Sequence, residues 1–145
     1  MSDSRKAHGF GFQPAGRLLS QTIDLSGEMG IAYERSIGYY KEFHTHDRDL
    51  IVFPRGACRM SVSVADSKVT YNIGSSEVLF VPKNAEHDDR GLSTVYDTVA
   101  LLPSAIYMQQ LVEENGLSKA DGKLLATTCF RGKRSRWLDD LIDRY

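Results

Sequence analysis

Three of the four histidines in this chain are spaced so that their rings can meet. His44 and His46 form a His-x-His pair, and His87 follows about forty residues later, just after the apolar run 78–81 and Pro82. Side chains alternate across a β-strand, so a His-x-His pair sends both imidazoles to one face. Asp49 opens the next apolar run and adds a carboxylate. Three imidazoles and a carboxylate inside a barrel suit one divalent transition metal, such as Zn, Ni, Mn or Fe. Without an ion, the same neutral rings can donate to and accept from a small polar ligand.

Short strands must carry these residues. Segments 18–25, 30–35, 49–53, 58–64, 68–73, 77–81 and 94–102 are each closed by Gly, Pro, Ser or Asp. Such closely punctuated segments predict an all-β sandwich or barrel. In the clearest pair, Met60, Val62 and Val64 alternate with polar residues, as do Val69, Tyr71 and Ile73, which predicts a hairpin turning near Asp66 and Ser67. Past Pro103 the period changes. Ser104 is placed to cap a helix over 105–115, and Gly116 stands where such a helix would end. Over 135–145, Trp137, Leu138, Leu141, Ile142 and Tyr145 form the apolar stripe of an amphipathic helix.

The composition narrows the function classes. The 145 residues carry a net charge of -1 with 41% apolar residues, so this chain should fold and should not by itself bind DNA strongly. No apolar run is long enough for a membrane span or signal peptide. Cys58 and Cys129 lie far apart without a CxxC pair, which predicts reduced thiols and a cytoplasmic protein. Cys58 alternates with Met60 and reads as a small buried hydrophobe. Walker loops, dinucleotide fingerprints, GxSxG elbows and HExxH zinc motifs are absent. The basic run Arg131 to Arg136 reads as a solvated linker.

The histidine spacing resembles the two motifs of the cupins. Five residues separate Gly38 from His44, the His-x-His pair follows, and six residues separate Asp49 from Gly56, which puts Asp49 at the family's Glu position. Only two residues separate Asp49 from His46, and Asp is shorter than the family's Glu. Pro82 to His87 matches the second motif, with Asn84 in place of its Gly and Gly91 at its terminal Asn position. The resemblance implies a mainly β fold, a double-stranded β-helix or jelly-roll barrel followed by C-terminal α-helices. It also implies that His44, His46, Asp49 and His87 bind a ligand or one divalent transition metal.

A cupin followed by a short helix, a basic turn and the Arg136-Trp-Leu-Asp-Asp-Leu141 run resembles the N-terminal sensor domain of AraC-type transcriptional regulators. Residues 1–16 mix Gly, Ser, Pro and charges without helical or strand periodicity and read as a flexible arm, and the resemblance implies a barrel over 17–102 and a helical extension over 103–145 that precedes a DNA-binding domain. It implies a small-molecule effector, a homodimer joined along Trp137, Leu138, Leu141, Ile142 and Tyr145, and DNA contact only through a helix-turn-helix domain absent from this chain. In that case no bond is broken and no residue is catalytic. The alternative from the same motifs is a small metal-dependent cupin enzyme, a dioxygenase, isomerase or decarboxylase.

Overall fold

A computed structural model of the protein describes residues 16–133. The arm, apart from Gly16, and the amphipathic stretch with its expected dimer seam lie outside the described residues. The elements run β1 (Arg17–Asp24), β2 (Met29–Ile37), β3 (Tyr40–His44), β4 (Leu50–Pro54), β5 (Met60–Val64), β6 (Val69–Ile73), β7 (Glu77–Val81), β8 (His87–Gly91), β9 (Val95–Pro103), α1 (Ala105–Glu114), α2 (Lys119–Thr127) and β10 (Phe130–Lys133). Two antiparallel sheets result, one ordered β1-β2-β9-β4-β7-β10 and the other β3-β8-β5-β6.

The core lies between the sheets. Ala32, Leu50, Leu79 and Leu102 come from the larger sheet, and Met60, Val62 and Ile73 from the smaller, in one buried cluster. β4 is hydrogen-bonded on both edges, to β7 and to β9, and four of its five residues are buried. An apolar run without alternation fits such a central strand.

The β5–β6 hairpin has the expected register, with Met60 opposite Ile73, Val62 opposite Tyr71 and Val64 opposite Val69. The chain turns over Ala65 to Lys68, and Lys68 takes the positive φ (55°) that closes the turn. Met60, Val62 and Ile73 are fully buried, whereas Val69, beside the turn, is exposed.

Local signals after Pro103 act as read. The Ser104 hydroxyl accepts from the Tyr107 N–H at 3.1 Å, capping α1. At the other end Gly116 has φ 63°, its N–H donates to the Glu113 carbonyl, and the Leu117 N–H donates to the Val112 carbonyl. This is the Schellman pattern. Two later elements went unread in the sequence. α2 starts with a capping box between Ser118 and Asp121, and β10 rejoins the barrel against β7, with Phe130 stacked on Phe80 at 4.9 Å. The residues read as a basic linker are therefore partly an exposed edge strand, where the Arg131 guanidinium lies 3.9 Å from Glu77. Among the described residues no helix is long and apolar enough to cross a membrane.

Cys58 is buried, and burial pushes its thiol above the ordinary value, as expected of a core residue and not of a nucleophile.

Candidate metal centre

Strand pairing builds the site. His44 closes β3 and His87 opens β8, and the register sets these two residues opposite each other. His46 lies just beyond β3, so the expected two-on-a-strand geometry is replaced by one strand residue and one loop residue. The His46 carbonyl accepts from the Asn84 N–H at 2.8 Å, which fastens this loop to the turn before His87. Asn84 has φ 65°, the left-handed conformation for which the motif uses Gly. Replacing Asn84 by Gly should leave thermal stability within about 1 kcal/mol of the parent, while Val at this φ should cost at least about 1–2 kcal/mol. Thermal unfolding of the two variants checks this.

The three rings converge. Their ligand atoms all lie within 4.8 Å of one another, and the Nε2 atoms of His44 and His46 are 3.2 Å apart. His46 and His87 are buried, and His44 is half-buried. The backbone fixes two of the tautomers. His44 Nδ1 lies 2.6 Å from the Glu42 carbonyl and His87 Nδ1 2.8 Å from the Ala85 carbonyl. A carbonyl only accepts, so each Nδ1 carries the proton and each Nε2 keeps its lone pair. Such outer contacts orient metal-binding imidazoles and raise their basicity.

The carboxylate at this centre is Asp89. Its Oδ2 lies 3.4 Å from His44 Nε2 and its Oδ1 3.9 Å from His87 Nε2. Asp49, expected there, is turned elsewhere, and its Oδ1 accepts the Lys83 N–H at 2.8 Å. Two residues of spacing after His46 leave Asp49 to brace the Pro82–Lys83 turn, while Asp89 follows His87 by two and so shares its face of β8. Glu34 was also unread. It occupies an inward position of β2, in the buried series Gly30, Ala32, Glu34 and Ser36. Both acids carry a period-two signal, Asp89 two residues after His87 and Glu34 among the alternating positions of β2.

Electrostatics favour a cation. Burial holds His44 below its ordinary pKa, against the opposing pull of Asp89, and neighbouring His87 adds to the lowering. The His44 ring is thus kept neutral. Burial, reinforced by Asp89, pushes Glu34 up to about 7, with Lys41 opposing. His87 Nε2 is buried without a hydrogen-bond partner. The orphaned His87 Nε2 and the His44 Nε2, which lies 3.2 Å from His46 Nε2, face the Asp89 carboxyl at 3.9 and 3.4 Å. Lone pairs so arranged repel unless something positive lies among them, and a divalent ion coordinated by nitrogen and oxygen ligands removes that cost. The residues therefore fit a transition metal, with His44, His46 and His87 as ligands and Asp89 beside them.

A cavity of about 30 Å³ is lined by His46 and Asp89 together with Gln21, Glu34, Tyr39, Tyr96 and Thr98. Tyr39 and Tyr96 stack at 3.9 Å, and burial keeps both phenols protonated well past their ordinary range. Such a volume holds about two waters.

No protein-family model and no curated protein matches this chain. Solved structures do. ToxT from Vibrio cholerae is similar with TM-score 0.60 and 12% identity over 81% of this chain and 47% of that one, a share that strands β1 to β9 alone cannot supply. A cupin domain from Bordetella pertussis Tohama I is similar with TM-score 0.50 and 20% identity over 66% of this chain and all of that one. The DMSP lyase DddQ from Ruegeria pomeroyi DSS-3 is similar with TM-score 0.51 and 15% identity over 62% of this chain and 48% of that one. At these identities the likeness carries the fold. The two facing antiparallel sheets, the paired histidine motifs and these neighbours together make this chain a cupin-fold barrel, followed among the described residues by two short helices.

Proposed function

We propose that the chain is the ligand-sensing and dimerisation part of an AraC-type transcriptional regulator, and that its sensing centre is a divalent transition metal held by His44, His46 and His87. The reading is carried by one observation: three imidazoles, two buried and one half-buried, bring their ligand atoms within 4.8 Å of one another beside the Asp89 carboxyl. The bound ion would supply a fixed positive charge at the ring nitrogens. The chain's own residues would supply the response.

That response has a physical route. Arg48, two residues after His46, donates to the carbonyls of Leu25 (3.1 Å), Gly27 (3.1 Å) and Leu102 (3.2 Å). Leu102 lies just before Pro103 and the Ser104 cap, and the Ser104 N–H donates to the Glu28 carbonyl at 2.6 Å. A pull on His46 is thereby passed through Arg48 to the root of α1. Sensing is a population shift between arrangements of this junction, biased by the ion's better fit to one of them. Homodimerisation places two such junctions together, and DNA is read by a domain outside this chain.

Hydrogen exchange tests the route. Zinc should slow exchange in α1 of the parent by a factor of roughly 5–150, the usual range for coupling between sites, and Arg48→Met should keep zinc binding while losing that protection. Unchanged α1 exchange in the parent, or equal protection in Arg48→Met, contradicts the sensor reading.

A second reading, a metal-dependent dioxygenase, isomerase or decarboxylase, is favoured by Glu34. A carboxyl held at about 7 beside a metal centre suits proton transfer near neutral pH. Turnover of any small substrate that is lost in Glu34→Gln with metal content unchanged would support the enzyme.

A further inference from the structure

The cavity beside the histidines has a polar feature that the ion itself does not explain. Gln21 Nε2, on β1, is buried and has no hydrogen-bond partner. A buried amide donor left unmade costs about 1–3 kcal/mol, so such atoms mark a place that a water or ligand completes. The cavity that Gln21 lines also reaches His46 and Asp89, so this donor and the proposed cation share one small space.

Charge decides what can enter. In the metal-free protein the space is bordered by the Asp89 and Glu34 carboxyls and by His46, with no lysine or arginine among its lining residues, and an anion is disfavoured. An ion at the rings reverses that sign, while Gln21 offers an N–H at another wall. An acceptor-rich ligand with electron pairs at both ends satisfies both. The volume of about 30 Å³ limits it to two or three heavy atoms.

We propose that Gln21 is the recognition residue of a subsite for a small anion of two or three heavy atoms, filled only when the histidine centre holds its ion. The proposal rests on the metal reading above. It narrows what can sit beside the ion to azide- or formate-sized anions and excludes larger carboxylates and sugars.

Cobalt(II)-loaded full chain, titrated with sodium azide and followed by visible absorption, provides the test. Azide should shift the cobalt bands of the parent, and Gln21→Leu should weaken the azide midpoint about tenfold or more, the usual effect of losing a hydrogen bond to a charged group. Gln21→Glu keeps the shape, puts an anionic acceptor where the donor was, and should weaken azide further. Benzoate should leave the bands unchanged. An equal azide midpoint in both variants, or a benzoate shift as large as that of azide, overturns the subsite while leaving the metal centre standing. Failure of cobalt to bind at the histidines overturns the metal reading and the subsite with it.

Discussion

Replacing His87 by leucine should leave the metal-free protein at least as stable as the parent, yet abolish its stabilisation by a divalent ion. His87 is fully buried, and its Nε2 has no partner. Leucine removes that orphan, worth about 1–3 kcal/mol, and gives up the Nδ1 bond to the Ala85 carbonyl, worth about 0.5–1.5 kcal/mol. The balance is near zero or favourable. A purely structural histidine would behave differently, because its loss would cost stability with or without metal. In the parent, an ion present at a hundred times its dissociation constant adds about 2.7 kcal/mol, or about 10 °C in melting temperature for a domain of this size. Calorimetry of both proteins, with chelator and with zinc, separates the cases. A metal-induced rise that survives in His87→Leu contradicts the centre.

The second large effect is on pH. In the folded protein burial and Asp89 raise Glu34 from 4.5 to about 7, so folding favours its protonated form. The stability this contributes is fully present below 4.5 and is lost as pH rises through 7. At about 1.4 kcal/mol per unit, the loss approaches about 3 kcal/mol. Glutamine resembles the protonated acid, so Glu34→Gln should match the metal-free parent at pH 4.5 and exceed it by up to about 3 kcal/mol at pH 8. His44 works the other way. Its folded value lies below 6.5, so it must stay neutral, and stability falls as pH drops below 6.5. Denaturant unfolding of parent and variant across pH 4.5–8 with chelator isolates the Glu34 part, because His44 is common to both. A constant difference across that range would place Glu34 outside the buried environment described.

Much of the frame was legible because its signals are local. The β5–β6 alternation sets its own register, the Ser104 cap and Gly116 bound α1, and Asn84 tolerates the left-handed turn that its motif demands. The histidines were legible as a set because strand pairing of β3 with β8 converts two motif positions into one place. What sequence did not show depended on partners distant in the chain. Phe130 to Lys133 have no alternation, and become a strand only because the edge of β7 is open to them. α2 carries its capping box, yet Gly122 at its centre and a polar composition hid it. Asp49 misses the centre because only two residues separate it from His46 and its carboxylate turns to the Lys83 backbone, while the pleat of β8 delivers Asp89. Glu34 was unread because burying a carboxyl costs free energy, and only the neighbouring centre gives a reason to place one there.

The central claim is that three imidazoles hold one ion, and X-ray absorption at the zinc edge tests it most directly. Protein loaded with one equivalent of zinc should show a first shell dominated by imidazole nitrogen, with the multiple-scattering pattern of three rings in the parent and of two in His87→Leu. A shell built from oxygen alone, or a spectrum that His87→Leu leaves unchanged, would contradict the account.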